Sequence, residues 1–148
     1  MKIVLQRVKK AAVRVDGEEK ASIGKGLLLL VGIGREDTPE TVEHMAGKIS
    51  RLRVFEDTGG KMNLDISQVS GEILSVSQFT LLADIAKGNR PGFDEAAPPE
   101  IARKYWEGFN GSIRRRGIPL KEGEFGARMD VSLVNDGPVT IVIDRAKN

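Results

Sequence analysis

The sequence predicts an α+β fold in which a small, barrel-like mixed sheet is packed by two main helices. Apolar segments of strand length occupy most of the chain, and only two segments carry apolar residues at helical spacing. Their order does not follow the regular βαβ alternation of a Rossmann fold. Because the 148 residues contain no linker, repeat or low-complexity segment, residues 1–148 are expected to form one domain.

The predicted strands are apolar runs bounded by turn residues. They are residues 2–8 (KIVLQRV), 11–15 (AAVRV), 26–33 (GLLLLVGI), 72–82, 129–135 and 139–144. A turn is expected at residues 16–19 (DGEE), and a turn or loop at residues 56–63 (EDTGGKMN). Residues 84–99 (DIAKGNRPGFDEAAPP) form a long loop rich in Gly and Pro, and such loops in compact domains are often functional.

The first predicted helix covers residues 39–53. Thr38 is its expected N-cap, and Pro39 stands at the first helical position, where proline is favoured. Its apolar stripe consists of Val42, Met45, Ala46, Ile49 and Leu52.

The second predicted helix begins at Pro98 and Pro99 and is stopped by Gly117 and Pro119. Its apolar face consists of Ile101, Tyr105, Phe109 and Ile113. Both helices are therefore expected to bury one face against the sheet.

The lack of cysteine and the single histidine exclude several kinds of chemistry. Without cysteine there is no disulfide, no thiol nucleophile and no thiolate metal site. His44 lies off the apolar stripe of the first helix, so it is expected on the surface rather than in a Ser-His-Asp triad. No cluster of Asp and Glu at a strand end suggests a magnesium site, and no metal or other cofactor is expected.

The chain is expected to be cytoplasmic and to have no membrane partner. Its longest apolar run, residues 27–31 (LLLLV), is far too short to span a bilayer, and no leader segment is evident. The net charge of +2 permits a nucleic-acid partner without requiring one. Each basic cluster, at residues 9–10, 87–90 and 114–116, is by itself more typical of a solvated surface.

Polar residues interrupt the apolar segment SVSQFTLL, residues 75–82. On a strand, alternation would place Gln78 and Thr80 on one face and Ser77 on the other. A buried polar group without a partner costs ~1–3 kcal/mol, so all three side chains need hydrogen bonds. Two interpretations fit equally well: they bond to neighbouring backbone groups, or the strand end opens into a pocket.

A second unusual stretch is NDGPVT, residues 135–140. Asn-Asp or Asp-Gly suits a two-residue hairpin turn, whereas Pro138 removes a ladder donor and restricts Gly137. One interpretation is a plain turn with a trans proline. The other is a Gly-Pro unit that approaches a ligand closely and exposes the Gly137 carbonyl.

The sequence resembles the D-aminoacyl-tRNA deacylases, the D-tyrosyl-tRNA deacylase family. SQFTL (77–81) and NDGPVT (135–140) are similar to the two signature motifs of that family. Further similar segments fall in the same order and spacing: LQRV (5–8), GKMN (60–63), KGNRPGF (87–93) and FGARMDVSLVNDGPVT (125–140). The resemblance covers essentially the whole chain, and the joint occurrence of the motifs makes it specific.

The resemblance implies a hydrolase whose partner is aminoacyl-tRNA. The family cleaves the ester between a D-amino acid and the terminal adenosine of tRNA, and it removes glycine mischarged onto tRNA for alanine. It works as a homodimer with active sites at the interface, where a cis Gly-Pro of one subunit reaches into the pocket of the other. That unit resembles Gly137-Pro138, and Arg7 resembles the arginine that braces it. The motif is expected to bind the α-amino group and to block an L side chain.

The resemblance also implies the catalytic segment Ser77, Gln78, Phe79 and Thr80. The backbone N–H groups of Phe79 and Thr80, the Thr80 hydroxyl and Gln78 are expected to polarise the ester and position a water. Thr80 is expected to position this water rather than to attack, because no base is evident to activate its hydroxyl.

Two further residues are assigned by similarity, and the basic residues are candidates because of their charge. Phe125 and Met129 resemble residues that seat the terminal adenine, although core packing is the simpler interpretation of their pattern alone. Lys87 and Arg90, with the arginines at 114–116, are candidates for phosphate contacts, and a solvated surface position is equally compatible with them.

Two other functions compete with the deacylase. A non-catalytic RNA-binding barrel would need basic and aromatic side chains interleaved on one sheet face, but aromatics make up only 5% of the chain. A purely structural dimer module would leave the polar strand end unexplained. Turnover of an aminoacyl ester separates the enzyme from both.

Overall fold

The computed structural model describes residues 1–145. The strands are β1 (Lys2–Val15), β2 (Glu18–Ile23), β3 (Gly26–Gly32), β4 (Phe55–Glu56), β5 (Met62–Leu64), β6 (Glu72–Ser77), β7 (Leu120–Glu122) and β8 (Asp130–Asp144). The helices are α1 (Pro39–Arg51) and α2 (Pro99–Arg115), and a short 3₁₀ helix spans Phe79–Leu82.

β1 organises a curled, mixed sheet. β3 and then β2 pair antiparallel with successive stretches of β1, and β8 pairs antiparallel with nearly all of it. β3 pairs in parallel with β6, and β6 pairs in parallel with β7, which gives the order β2-β1-β3-β6-β7 with β8 on β1. This nearly closed sheet with two helices confirms the predicted α+β, barrel-like fold.

The core has two parts, one on each face of β3. Leu27 and Leu29 join the large cluster between the sheet and the helices. Leu28 points into the smaller cluster inside the curled sheet, together with Val13 and Leu74. A strand buried on both faces reads as a continuous apolar run, which is why β3 contains four consecutive leucines.

α1 begins at the predicted cap. Thr38 Oγ1 accepts a hydrogen bond from Thr41 N at 3.2 Å, and Thr41 Oγ1 accepts one from Thr38 N at 3.3 Å. The predicted stripe is buried apart from Leu52, which is half-buried at the C-cap. His44 is exposed, as its position off the stripe predicted.

The predicted apolar face of α2 is wrong at Ile101, which is 45% exposed. The helix is turned so that Trp106 is buried instead, with Nε1 donating to Ser75 Oγ of β6 at 2.9 Å. The indole contributes more apolar area than the isoleucine, and its N–H needs a partner. The other predicted residues pack as expected: Tyr105 is half-buried, and Phe109 and Ile113 are fully buried.

Glu43 of α1 ties the two helices together. It accepts hydrogen bonds from Ser112 Oγ at 2.8 Å and from Arg116 Nη2 at 2.7 Å. The Ser112 hydrogen bond and then the neighbouring guanidinium groups of Arg116 and Arg115 hold the pKa of Glu43 below its ordinary value. The surface link holds α1 beside the C-terminal end of α2.

The predicted strand at residues 72–82 is too long, because β6 ends at Ser77. Gln78 N still donates to Val31 O at 2.8 Å, but the chain then turns into the 3₁₀ helix. Leu82 folds back over Gly32, where an added Cβ would lie 2.6 Å from Leu82 Cδ2. The lack of a side chain at Gly32 therefore makes room for the turn, and the predicted alternation of Gln78 and Thr80 does not occur.

Two predicted pairs of strands are single strands. Residues 2–8 and 11–15 are both part of β1, and residues 129–135 and 139–144 are both part of β8. The pairing of β1 with β8 shifts register between Gln6 and Val8 and again between Val8 and Lys10. These bulges absorb the polar and Gly-Pro interruptions, so neither strand ends there.

Four short or polar strands were missed. β2 (sequence EEKASI) overlaps the end of the turn predicted at residues 16–19 and continues to Ile23, and β7 has three residues. β4 and β5 pair as a small hairpin at the two ends of the loop predicted at residues 56–63. Their side chains lack the apolar alternation that indicates a strand, because pairing with neighbouring strands rather than burial holds them.

The long loop at residues 84–99 has no helix or strand before Pro99, as predicted. Asp84 and Gly92 close its first half by exchanging two backbone hydrogen bonds of 2.8 and 2.9 Å. Its second half returns to the sheet, where Gly34 and Ala96 form an isolated bridge. Within residues 1–145, no helix combines the length and the apolar character that crossing a membrane requires.

Candidate active site

A cavity of about 720 Å³ opens where β6 ends. Its walls come from the β6 end, the second half of the long loop, the start of α2 and the segment before β8. The lining residues include Ile33, Arg35, Val76, Ser77, Gln78, Phe79, Phe93, Asp94, Pro98, Pro99, Phe125, Met129 and Val131. The polar strand end therefore opens into a pocket, the second of the two interpretations of SVSQFTLL.

Residues 77–80 are here called the β6 turn, and Ser77, Gln78 and Phe79 of this turn form part of the cavity wall. Ser77 and Gln78 are half-buried, and Phe79 is 53% exposed with its ring edge-on to Phe93 at a centroid distance of 5.0 Å. Thr80 is exposed beside the cavity and does not line it. Gln78 Nε2 donates a hydrogen bond to Thr80 Oγ1, which leaves the hydroxyl proton of Thr80 available to another acceptor.

The β6 turn also carries unused donors. The first residues of a helix have no partner within it for their N–H groups. Within the described residues, the N–H groups of Phe79 and Thr80 have no backbone acceptor, whereas those of Leu81 and Ala83 bond to Gln78 O and Thr80 O. No described residue bonds to the Ser77 hydroxyl either. Four donor groups are thus free at the edge of one cavity: two backbone N–H groups and the hydroxyls of Ser77 and Thr80.

Phe125 and Met129 form an apolar part of the cavity wall, here called the apolar wall. Both are half-buried and line the cavity, so they are not simply core residues. The Phe125 ring lies 5.9 Å from that of Trp106, and the Arg103 guanidinium lies 5.8 Å from its centroid. Gly123 is packed against Met129, since an added Cβ would lie 2.9 Å from Met129 Sδ. These contacts hold the two apolar side chains in place.

The second sequence motif forms an irregularity within β8, here called the Gly-Pro bulge (residues 135–139). The Gly137-Pro138 peptide bond is cis, as the family resemblance implied. Arg7 is almost fully buried beside it and donates from Nε to Asp136 O at 2.9 Å and from Nη1 to Val54 O at 2.7 Å. Arg7 thus braces the bulge from β1.

Asn135 fixes the bulge from within. Its Oδ1 accepts from Val139 N at 2.7 Å, and its Nδ2 donates to Val139 O at 3.1 Å and to Thr140 Oγ1 at 3.0 Å. Gly137 has φ +145°, and an added Cβ would lie 2.7 Å from Val139 Cγ2 and 2.8 Å from Val139 N. Only glycine fits at this position.

The structure does not bring all predicted site residues together within one chain. Ser77, Gln78, Phe79, Phe125 and Met129 line one cavity. Gly137 and Pro138 are exposed and do not line it. Lys87 and Arg90 are exposed on the long loop, and no ion pair engages either of them within the described residues. No group of three or more His, Cys, Asp or Glu side chains in residues 1–145 could hold a metal ion.

Sequence reasoning missed three residues of this region. Phe93 lies within the quoted segment KGNRPGF, yet its place against Phe79 depends on how the loop folds back. Arg35 enters the cavity wall from the end of β3, for which no local pattern gives a signal. Asn135 was quoted in NDGPVT, and the tendency of Asn to bond to nearby backbone was the signal that could have found it.

Comparison with known proteins places the chain among tRNA deacylases. The family model described as D-Tyr-tRNA(Tyr) deacylase matches residues 4–144. A D-aminoacyl-tRNA deacylase of Exiguobacterium sibiricum is 52% identical over 145 residues, which cover 98% of this chain and 100% of the relative. One of Lactobacillus delbrueckii subsp. bulgaricus is 55% identical over 144 residues, covering 97% and 99%. The chain therefore belongs to the D-Tyr-tRNA(Tyr) deacylase family.

Solved structures share the fold. One described as c-Myc DNA Unwinding Element Binding Protein has a TM-score of 0.92 and 46% sequence identity, covering 97% of this chain and 98% of that one. A probable eukaryotic D-amino acid tRNA deacylase has a TM-score of 0.81 over 96% and 97% of the two chains. Its identity is 17%, so this second likeness supports the fold alone.

Proposed function

We propose that this protein hydrolyses the ester that joins a D-amino acid to the terminal adenosine of tRNA, releasing the free amino acid and tRNA. The observation that carries the proposal is one cavity whose lining combines free hydrogen-bond donors with the aromatic and apolar side chains of Phe125 and Met129, in a member of this family. An aminoacyl-adenosine ester has the same division into a polar reacting end and a flat base.

The β6 turn supplies the chemistry. The free N–H groups of Phe79 and Thr80 can stabilise the negative charge that develops on the ester carbonyl oxygen as water attacks. Because Gln78 occupies an acceptor site of the Thr80 hydroxyl, that hydroxyl is oriented to donate. The Ser77 hydroxyl is placed to hold the water or the ribose.

No strong base is needed for this reaction. The ammonium group and the neighbouring ribose hydroxyl already activate an aminoacyl ester, and the exposed His44 lies on α1 rather than in the cavity lining. Thr80 positions the reactants rather than attacking, because no described residue is placed to remove its proton. No metal or other cofactor takes part.

Phe125 and Met129 seat the terminal adenine. Phe125 packs against Trp106, which steadies its ring, and a base can stack on the part of the ring that lines the cavity. Phe93 and Phe79 extend the aromatic surface at the mouth. Lys87 and Arg90 contact the phosphates of the tRNA beyond this nucleotide.

A second copy of the chain completes the site. Gly137 and Pro138 are exposed and do not line the cavity of their own chain, which supports a site shared between two subunits. In the homodimer, their carbonyl oxygens bind the α-ammonium group of the substrate. A side chain of L configuration then collides with the bulge, whereas a D side chain points away. Glycine has no side chain to collide, so glycine mischarged onto tRNA for alanine is also removed.

Two further parts complete the proposal. Aminoacyl-tRNA is used in the cytoplasm, so the protein acts there. The chain forms a single domain, which is supported within residues 1–145 by two core clusters that share β3 with no linker between them.

The first test is release of amino acid from D-tyrosyl-tRNA and from L-tyrosyl-tRNA at catalytic enzyme concentration. We expect fast loss of the D ester while the L ester stays intact, and loss of glycine from glycyl-tRNA for alanine. Cleavage of both tyrosyl esters at equal rates would contradict selection by the Gly-Pro bulge. No turnover of any ester by folded protein would leave nucleic-acid binding without catalysis as the function, a role in keeping with the DNA-binding name of one structural neighbour.

A further inference from the structure

Arg35 is the one positive charge among the described residues that line the cavity. Most of the lining is apolar, and Asp94 is the only other charged residue in it. An anion bound at this cavity would therefore have a single favourable place, next to Arg35. Lys87 and Arg90, the two cations proposed to bind tRNA, do not line the cavity.

The backbone around Arg35 is held firmly. Arg35 N donates to Glu95 O at 2.9 Å, and Ala97 N donates to Ile33 O at 3.0 Å. The isolated bridge between Gly34 and Ala96 lies between these two bonds. Residues 33–35 thus run alongside the loop segment that forms the cavity wall, and the Cα atom of Arg35 is fixed at the rim.

The side chain of Arg35, in contrast, is free to bind a ligand. It is exposed, and no hydrogen bond, ion pair or ring contact engages it among residues 1–145. Five other arginines among the described residues are engaged with carboxylates: Arg7 with Glu56 and Asp136, Arg103 with Glu107, Arg114 with Glu122, and Arg115 and Arg116 with Glu43. A guanidinium that is anchored at its backbone and has no carboxylate partner is available to an external anion.

We propose that Arg35 binds the phosphodiester that links the terminal adenosine of the substrate to the preceding nucleotide. This inference rests on the proposed function, in which the same cavity holds that adenosine. The nucleoside is neutral, and the phosphodiester is the charged group attached to it, so one cation at the rim matches one anion. The planar guanidinium donates two N–H groups to two phosphate oxygens, which the single ammonium of a lysine cannot reproduce.

The test uses three substrates that differ in their phosphates: the D-tyrosyl esters of adenosine, of adenosine 5′-monophosphate and of full-length tRNA. We expect Arg35→Gln to lower kcat/KM on the order of tenfold for the two phosphate-bearing substrates and to leave the adenosine ester unchanged. Arg35→Lys should recover part of the loss. With tRNA, Arg35→Gln should make the salt dependence shallower: the magnitude of the negative slope of log kcat/KM against log salt concentration should decrease by about 0.7.

Arg51→Gln is the matched control. Arg51 is an exposed arginine in the last turn of α1, outside the cavity, and its loss should affect none of the three substrates. An equal loss on all three substrates with Arg35→Gln would overturn the phosphate contact, because the adenosine ester carries no phosphate. An unchanged rate on the monophosphate ester and on tRNA would overturn it as well.

Binding without turnover separates this inference from the proposed function. Wild-type protein should bind adenosine 5′-monophosphate more tightly than adenosine by on the order of tenfold, and Arg35→Gln should abolish that difference. If wild-type protein cleaves none of the three esters, the deacylase proposal fails, yet the binding comparison still measures the phosphate contact. Equal affinity of the wild-type protein for adenosine and for adenosine 5′-monophosphate would overturn the contact in either case.

Discussion

The β6 turn and the Gly-Pro bulge are held in opposite ways. The β6 turn keeps two backbone N–H groups and two hydroxyls free and faces a cavity. In the bulge, Arg7 engages Asp136 O and Asn135 engages Val139 N and O, and Gly137 and Pro138 do not line the cavity of their own chain. Groups that stabilise a changing charge need free donors, whereas a group that selects by shape must not move. The difference in anchoring therefore distinguishes the surface where the reaction takes place from a rigid surface that selects the substrate by shape.

The largest effect is expected from Gly137→Ala in the bulge. The added methyl meets Val139 at 2.7 to 2.8 Å in a backbone conformation that L residues rarely adopt, so the bulge must shift. A displacement of about 1 Å in a positioned group can cost on the order of 100-fold, and kcat/KM for D-tyrosyl-tRNA should fall by that factor or more.

Gly17→Ala is the control for this change. Gly17 also has positive φ, at +78°, but an added Cβ has no neighbour within 4 Å. Gly17→Ala should lose about 1 kcal/mol of unfolding free energy in urea and Gly137→Ala should lose more, because its methyl also meets Val139, but only Gly137→Ala should lose activity. Similar activity losses in the two variants would contradict the role of the bulge as a rigid surface that selects the substrate by shape.

Thr80→Val tests the reacting surface. Valine keeps the shape of threonine but lacks the hydroxyl that Gln78 orients, so one donor to the transition state is lost. We expect kcat to fall about 30-fold with little change in KM, and Thr80→Ser to restore most of it. An acyl-enzyme trapped by acid quenching would show instead that Thr80 is the nucleophile.

Mixing the Gly137→Ala and Thr80→Val variants, each of low activity, tests whether the bulge of one subunit acts at the β6 turn of the other. In a hybrid dimer of Gly137→Ala and Thr80→Val, one of the two sites combines an intact bulge with an intact β6 turn if the bulge acts on the partner. After exchange of subunits, the mixture should recover about a quarter of the wild-type rate. No recovery, with subunit exchange demonstrated by differently tagged chains, would place both regions in the same subunit.

Sequence patterns identified the two motifs but not the cavity. SQFTL and NDGPVT were both found as polar or conformational interruptions of apolar strands, because such interruptions are local. The cavity itself was not predictable from periodicity. Its walls come from four separate parts of the chain, and Arg35 and Phe93 enter it only because the long loop returns to β3.

The strands show the same limit. β3 was predicted correctly because burial on both faces leaves a continuous apolar run. β1 and β8 were each divided in two, since a bulge and a strand end have the same local pattern, and only pairing between the two strands distinguishes them. The helices were placed correctly by their caps and prolines, although the packing of Trp106 set the rotation of α2.

A smaller effect is expected from Asn135→Asp within the bulge. The carboxylate keeps the acceptor for Val139 N but loses the two N–H donors to Val139 O and Thr140 Oγ1. The bulge should loosen without collapsing, and kcat/KM should fall about fivefold, the equivalent of one neutral hydrogen bond. Asn63→Asp makes the same charge change at an exposed position of β5 and should leave the rate unchanged. A comparable loss in both variants would point to charge rather than to anchoring.

The smallest effect concerns the support behind the apolar wall. Trp106→Phe removes the donor to the fully buried Ser75 hydroxyl and should lower the unfolding free energy by about 1 kcal/mol. Ser75→Ala leaves the indole N–H without an acceptor and should lower the unfolding free energy by a similar amount. The double variant should lose less than the sum of the two, because neither polar group is then left unpaired. Urea unfolding of the four proteins measures this coupling. If the apolar wall is rigid because of packing, turnover should change less than twofold in the three variants. A large loss of turnover in both Trp106→Phe and Ser75→Ala would mean that this hydrogen bond positions Phe125, and that the apolar wall is anchored as tightly as the Gly-Pro bulge. A loss in Trp106→Phe alone would mean that the indole ring, and not its hydrogen bond, positions Phe125.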